Sequence, residues 1–342
     1  MGPVTFPLAQ QWQGWALCFL LSCTYVGSLY MVPARIRALR RDNPTQILAR
    51  FGSVSAAAAV CVMVLKLLAK PSQSPDAADF HVWIGLPGGE GLVCAVACSL
   101  TLICCLFLGP LMCMALMSFK RRTQDVDVFG NARPAERRRS LLRAAAADLL
   151  TRSGATVQPY ATLRNLLVGP VTEEVVFRGC FLPILLSAGA SRGAITCASP
   201  LLFGLAHAHH IREGLRNGRG FLAAAVPVLV QLSYTSVFGA LVALIHLRTG
   251  HLCATAACHI LCNFMGLPDL SFNVPPGDYA RPTYHLLLAI NDSDGRCNGR
   301  RSNAQVIWAS YGVGVILFFR LFYPLTETSA AASHLWQYQH PT

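Results

Sequence analysis

Two carboxylates and an arginine interrupt an otherwise apolar stretch of the chain, GPVTEEVVFRGCFLP. If this stretch is a helix, Glu174 and Arg178 lie four residues apart and can form an ion pair on one face. Glu173 is rotated by about 100° from Glu174 and has no basic residue three or four positions away. The pattern predicts one tethered carboxylate and one that is available for chemistry, although an ion-pair cluster that only fixes helix packing would use the same residues.

Two further apolar segments carry polar residues at helical spacing. FGLAH ends at His207, and HILCN begins at His259 and ends at Asn263. Residues four apart lie one turn apart on a helix, so Phe203 and His207 share one face, and His259 and Asn263 share another. A single histidine of this kind is usually a packing residue, but three polar segments in one chain favour a common site.

A carboxylate, two histidines and an asparagine suit hydrolysis by an activated water molecule. Burial would make Glu173 a stronger base, and His207 could share the water with it. His259 and the amide of Asn263 could donate hydrogen bonds to the oxyanion of a tetrahedral intermediate.

Other chemistries fit these residues less completely. A catalytic zinc site is the main alternative, because two histidines and a glutamate form a common ligand set. A cysteine nucleophile is weaker, because Cys180 has no histidine nearby in sequence. A serine triad lacks a nucleophile-elbow signature.

The composition places these residues in a membrane. Of 342 residues, 54% are hydrophobic and only 13% are charged, whereas a globular domain has roughly a quarter charged residues. A span needs ~20 largely apolar residues. We predict an all-α, polytopic membrane bundle of about eight helices, with spans near 14–33, 52–70, 91–118, 163–188, 194–209, 221–247, 251–267 and 304–325.

The whole chain, 1–342, is predicted to be a single membrane domain. The catalytic motifs fall within 160–270, and a polar tail begins at 326 and ends at 342. Residues 134–152 favour an amphipathic helix at the membrane surface, with a solvated helix as the alternative.

The net charge of +12 is concentrated in loops, which favours a cytosolic membrane surface over nucleic acid as its partner. Segments rich in arginine place the loops 35–50, 120–160, 210–220 and 268–303 in the cytosol, whereas 71–90 has no Lys or Arg. This topology puts the amino terminus on the opposite side. It also predicts that Glu173, His207 and Asn263 share a depth near the cytosol.

The three motifs resemble a known family. EEVVFR, FGLAH and HILCN match the EExxxR, FxxxH and HxxxN pattern of the CAAX protease and bacteriocin-processing superfamily. CTYVGSLYMV, QLSYTSVFGALVALIHLRTGHL and CHILCNFMGLPDL are similar to the eukaryotic type II CAAX prenyl endopeptidases, the Ras-converting CAAX proteases. The resemblance covers about residues 23–325.

This resemblance implies a multi-pass endopeptidase of the endoplasmic reticulum membrane, with its active site facing the cytosol. Its substrates would be farnesylated or geranylgeranylated CaaX proteins, such as Ras-like small GTPases, and it would need no metal or other cofactor. By the same resemblance, the water-activating pair is Glu173 and His207, the oxyanion pair is His259 and Asn263, and the supporting residues are Glu174 and Arg178.

Two non-protease interpretations also stay open. A transporter could use buried charges as a proton relay, although the polar residues fall in only one half of the chain. A non-catalytic protein that binds prenylated proteins or lipids would have the same composition. The basic turn with Arg212, Arg216 and Arg219 could attract a substrate carboxylate, but the positive-inside rule explains it equally well.

Overall fold

The computed structural model describes residues 2–8, 10–40, 42–89, 91–112, 159–205, 209–216, 218–266 and 298–338. These residues are mainly helical, and a short antiparallel pair joins β1 (Val4–Thr5) to β2 (Lys70–Pro71). The predicted helix at 134–152 lies outside the described residues, as do most of the loops 120–160 and 268–303. The predicted all-α class is confirmed.

The described residues form a series of α-helices. They are α1 (Gln11–Met31), α2 (Ala34–Arg37), α3 (Pro44–Leu68), α4 (Phe80–Trp83), α5 (Leu92–Leu106), α6 (Pro159–Leu163), α7 (Gly169–Glu174), α8 (Phe181–Ser187), α9 (Arg192–Leu205), α10 (His209–Arg216), α11 (Phe221–Thr249), α12 (Leu252–Met265), α13 (Asn298–Ala332) and α14 (His334–Gln337). Two π-helical segments, Arg164–Val168 and Val175–Cys180, flank α7.

Four described helices are long and apolar enough to cross a membrane: α1, α3, α11 and the Trp308–Glu327 part of α13. They correspond to four of the predicted spans. Two further predicted spans coincide with the shorter apolar helices α5 and α12. The spans predicted at 194–209 and 163–188 correspond to α9 and to the helical run that contains both π-helical segments. The protein is a helical membrane protein, and the total of about eight spans stays a prediction.

The chain divides into two compact units. The first comprises Met1–Ser99, Val168–His259 and Pro324–Thr342, and the second comprises Leu100–Leu167 and Ile260–Tyr323. Both motif glutamates lie in the first unit, whereas Asn263 lies in the second. A single domain over 1–342 stays a prediction.

The core of the first unit surrounds the second π-helical segment and α8. Every residue of α8 is buried. Phe177 makes edge-to-face contacts with Phe181 and Phe203, with ring centroids 5.0 and 4.9 Å apart. Since aromatic pairs add stabilisation beyond the area that they bury, this cluster fixes the segment that carries Arg178.

The carboxy-terminal residues pack more closely than their polarity suggests. The predicted tail 326–342 includes described residues up to 338, and these form the end of α13 and all of α14. Leu335 is fully buried. The fully buried Trp83 contacts Tyr338 at 5.0 Å between ring centroids, and its Nε1 donates a hydrogen bond to the carbonyl of Val4 at 3.0 Å. Leu335 and Tyr338 are therefore part of the first unit's core.

Candidate active site

The predicted ion pair between Glu174 and Arg178 is present. Arg178 Nη1 donates to Glu174 Oε1 at 3.1 Å, and both side chains are almost completely buried. Glu174 ends α7, and Arg178 lies in the π-helical segment that follows. The pair is thus held inside the protein, where an unpaired charge would be strongly unfavourable.

Two other helices complete the surroundings of Arg178. Its Nη2 donates to the carbonyl of Gly239 in α11 at 3.4 Å, and its guanidinium lies 5.3 Å from the ring centroid of Phe203 in α9. A Cβ atom at Gly239 would lie 2.7 Å from the Cβ of Pro200. The missing side chain at Gly239 therefore permits the close approach of α9 and α11.

His259 lies between the two glutamates. Its Nδ1 is 2.8 Å from Glu174 Oε1, and its Nε2 is 3.7 Å from Glu173 Oε2. An ionised carboxylate only accepts hydrogen bonds, so Nδ1–H donates to Glu174. The distance to Glu173 is longer than a hydrogen bond and leaves an electrostatic contact. Phe238 packs against the imidazole ring, with centroids 5.0 Å apart.

The two glutamates differ in exposure. The side chain of Glu174 is 0% exposed, whereas that of Glu173 is 25% exposed. Glu174 Oε1 has two partners, Arg178 and His259. The structure therefore agrees with the predicted contrast between a tethered and an accessible carboxylate.

Asn263 lies one turn beyond His259 in α12 but belongs to the second unit. There its Nδ2 donates to the carbonyl of Asn165, in the first π-helical segment, at 2.8 Å. A carboxamide has two N–H groups, so one donor is not accounted for by this bond. Asn263 is exposed.

His207 lies outside the described residues, and its predicted role in water activation stays a prediction. The motif that it ends is described up to Leu205, within α9. In the segment predicted as a basic turn, Arg212 lies in the helix α10, and Arg212 and Arg219 are both exposed. In the described part of the chain, no group of three or more His, Cys, Asp or Glu side chains is arranged to hold a metal ion.

The sequence analysis missed two features of the cluster. The neighbour of Glu173 could not be predicted from spacing within one helix, because His259 lies in a helix about 85 positions later. Gly239, whose carbonyl holds Arg178, was also overlooked. A glycine within the long apolar helix α11 was the available signal, since such glycines often mark a close approach of backbones.

The fold and this cluster define an integral membrane protein with a polar site built on its helices. Residues 155–265 match the type II CAAX prenyl endopeptidase Rce1-like family. The chain is 34% identical to CAAX prenyl protease 2 of Homo sapiens over 316 residues, which cover 91% of this chain and 80% of that protein. It therefore belongs to this family of type II CAAX prenyl endopeptidases, as the three motifs predicted.

Two further relatives are similar to the chain at comparable identity and coverage. The chain is 32% identical to CAAX prenyl protease 2 of Arabidopsis thaliana over 271 residues, which cover 75% of this chain and 81% of that protein. It is 33% identical to the probable CAAX prenyl protease 2 of Schizosaccharomyces pombe over 275 residues, which cover 80% and 88%, respectively. No solved structure matches the chain significantly.

Proposed function

We propose that this chain removes the aaX tripeptide from prenylated CaaX proteins and that Glu173 activates the attacking water. Family membership supplies the reaction class. The observation that supports the role of Glu173 is the asymmetry of the two glutamates: Glu174 is fully buried and bonded to Arg178 and His259, whereas Glu173 is 25% exposed beside His259.

In the proposed reaction, Glu173 accepts a proton from water, and the resulting hydroxide attacks the carbonyl carbon of the prenylated cysteine. A tetrahedral oxyanion forms. The bond between that carbon and the following nitrogen then breaks, and the proton passes from Glu173 to the leaving amine. His207 shares the water in this scheme. Cleavage leaves the prenylcysteine with a new terminal carboxylate, and the aaX tripeptide departs.

His259 and Asn263 are the proposed oxyanion donors. Because His259 Nδ1–H donates to Glu174, only Nε2 can face the oxyanion, and it donates only when both ring nitrogens carry protons. Glu174 then balances the charge of the imidazolium, while Glu174 itself is held by Arg178. This explains why a carboxylate with no proposed contact to the reacting atoms sits at the centre of the cluster.

The proposed chemistry needs no metal. Glu174 Oε1 is occupied by Arg178 and His259, so this carboxylate acts as a hydrogen-bond acceptor for two side chains. A zinc site would instead draw on His207, His259 and Glu173, the ligand set predicted as the alternative. Elemental analysis of active protein distinguishes the two schemes.

The proposed substrate requires access from two directions. The prenyl chain is an apolar lipid that enters from the bilayer, whereas the aaX segment comes from the cytosol, where CaaX proteins are made. Ras-like small GTPases carry such termini and are the proposed partners. The proposed location, by resemblance to the family, is the membrane of the endoplasmic reticulum.

The direction in which α12 runs supports a site near the cytosol. The amide of Leu252, at the start of α12, donates to the carbonyl of Gly85 at 2.7 Å, and Gly85 belongs to the loop that lacks Lys and Arg. His259 follows by seven residues, or about 10 Å at 1.5 Å per residue. The helix thus runs from the side that charge assigns to the lumen towards the cytosol, and Asn263 lies near its cytosolic end.

The function is tested by product release. Membranes that contain the chain are incubated with a farnesylated CaaX peptide, a geranylgeranylated one and an unprenylated one, and the free aaX tripeptide is quantified. We expect release from one or both prenylated peptides only. A transporter or a non-catalytic binding protein would release no tripeptide from any of them, and that result would refute the proposal.

A further inference from the structure

We propose that Tyr25 in α1 is a positioning residue for the reaction, because it holds the short helical turn that carries Glu173. The inference rests on the proposed role of Glu173 as the water-activating base. It concerns a residue that lies almost 150 positions earlier in the chain and outside the three motifs.

The turn that carries Glu173 lies between two π-helical segments. α7 has only 6 residues, and a π-helical segment lies directly before it and directly after it. π-helical turns break the regular hydrogen-bond register and often occur at functional sites. The orientation of α7 therefore depends on contacts with neighbouring helices.

Tyr25 supplies such a contact by a hydrogen-bonded relay. Its hydroxyl lies 2.8 Å from Thr172 Oγ1, and Thr172 Oγ1 lies 2.7 Å from the carbonyl of Val168. A threonine hydroxyl has one proton. Since that proton goes to Val168, the Tyr25 hydroxyl donates to Thr172, the residue directly before Glu173.

The Tyr25 ring contacts the chain beyond Glu173 as well. It meets Phe177 edge-to-face with centroids 5.8 Å apart, so Tyr25 touches residues on both sides of the two glutamates. Tyr25, Thr172 and Phe177 are all buried.

The helix that carries Tyr25 is itself fixed in place. A Cβ atom at Gly14 would lie 2.7 Å from the Cβ of Ala188, so α1 packs closely beside the end of α8. The carbonyl of Ser28 accepts a hydrogen bond from Ser53 of α3 at 2.5 Å. A side chain on such a helix can hold a reactive group precisely, because its own position is set by packing.

The test compares variants that remove only the hydroxyl groups of the relay. In Tyr25→Phe the ring contact with Phe177 stays, but the donor is lost. We expect kcat for aaX release to fall roughly 2- to 12-fold, the range that corresponds to one lost hydrogen bond, with KM unchanged. Thr172→Val should reduce kcat similarly, whereas Thr172→Ser keeps the hydroxyl and should retain most of the activity.

A double variant and a control sharpen the result. Tyr25→Phe combined with Thr172→Val should be no worse than either single variant, because both remove the same bond. Tyr30→Phe is the matched control, since Tyr30 lies in the same helix, is 42% exposed and keeps its ring. Its kcat should equal that of the unaltered chain.

An unchanged kcat in Tyr25→Phe, or additive losses in the double variant, would overturn the inference. If Tyr25→Phe does not fold, the contrast between Thr172→Val and Thr172→Ser decides it: equal kcat values for the two would also overturn it. If the unaltered chain releases no tripeptide, the proposed function has failed and the inference falls with it.

Discussion

Replacing Glu174 with glutamine removes the charge that Arg178 and His259 share. Glu174 Oε1 accepts from both side chains, whereas Oε2 has no hydrogen-bond partner in the described part of the chain. Glutamine can therefore keep its oxygen at the Oε1 position and place its NH₂ group at the Oε2 position. The variant changes the charge with little change in shape.

The expected cost follows from the burial of Arg178, which is 2% exposed. Removing one partner of a buried ion pair destabilises a protein by about 3–5 kcal/mol. We expect about 3 kcal/mol for Glu174→Gln, because the amide oxygen still accepts from Arg178 and the carbonyl of Gly239 stays in place. Turnover should fall, because His259 loses the negative charge that balances its imidazolium form, but it should stay measurable, because the proposed base Glu173 is unchanged.

The measurement is unfolding of the purified protein in detergent, beside a surface control. Glu327→Gln is suitable, because Glu327 is exposed near the end of α13 and surface changes usually stay within about 0.5 kcal/mol. A loss below about 1 kcal/mol for Glu174→Gln would contradict a structural role of this size. Complete inactivation of well-folded Glu174→Gln, equal to that of Glu173→Gln, would refute the division of labour between the two glutamates.

Three further changes test other parts of the site. Gly239→Ala should destabilise the protein by about 1–3 kcal/mol, because its Cβ would lie 2.7 Å from Pro200. The control Gly52→Ala, with no atom within 4 Å of the added Cβ, should leave stability unchanged. Equal unfolding midpoints for the two variants would contradict the close approach. Asn263→Asp should lower kcat by about 10²-fold or more, since a carboxylate repels an oxyanion; activity retained in Asn263→Asp, with one zinc per chain by elemental analysis, would favour a metal site. In a chain without its native cysteines, Ser293→Cys should react with an impermeant thiol reagent only from the cytosolic side of sealed microsomes. Asn291 should carry no glycan. Labelling from the lumen would contradict the predicted topology.

The local part of the site could be predicted from the sequence. The spacing of Glu174 and Arg178 fixes their relation on any helix, and the structure shows the pair at 3.1 Å. Long apolar runs likewise predicted α1, α3 and α11 as spans, because length and composition alone decide that property.

Contacts between distant helices could not be predicted in this way. The pairing of His259 with Glu174, and of Arg178 with the Gly239 carbonyl, depends on how α7, α11 and α12 pack. The two π-helical segments could not be predicted from the sequence either, because the periodicity used to recognise helices assumes a regular α-helical hydrogen-bond register.

The carboxy-terminal segment shows a second limit of prediction from sequence. Its polar composition predicted a tail, yet Leu335 and its neighbours pack against Trp83 and the amino-terminal residues. A few apolar side chains, spaced along a polar segment, are enough to dock part of it when a complementary surface exists elsewhere in the chain. Composition averaged over the segment hides them.

The central claim is that Glu173 activates the water that cleaves prenylated CaaX substrates. Its most direct test is the rate of aaX release by the purified chain and by Glu173→Gln in the same vesicles, with Glu327→Gln as the matched control. The glutamine keeps the shape of Glu173 but cannot accept the proton, so we expect no detectable release from Glu173→Gln at an unchanged unfolding midpoint and full release from the control. Release by folded Glu173→Gln at a rate close to that of the unaltered chain would contradict the account.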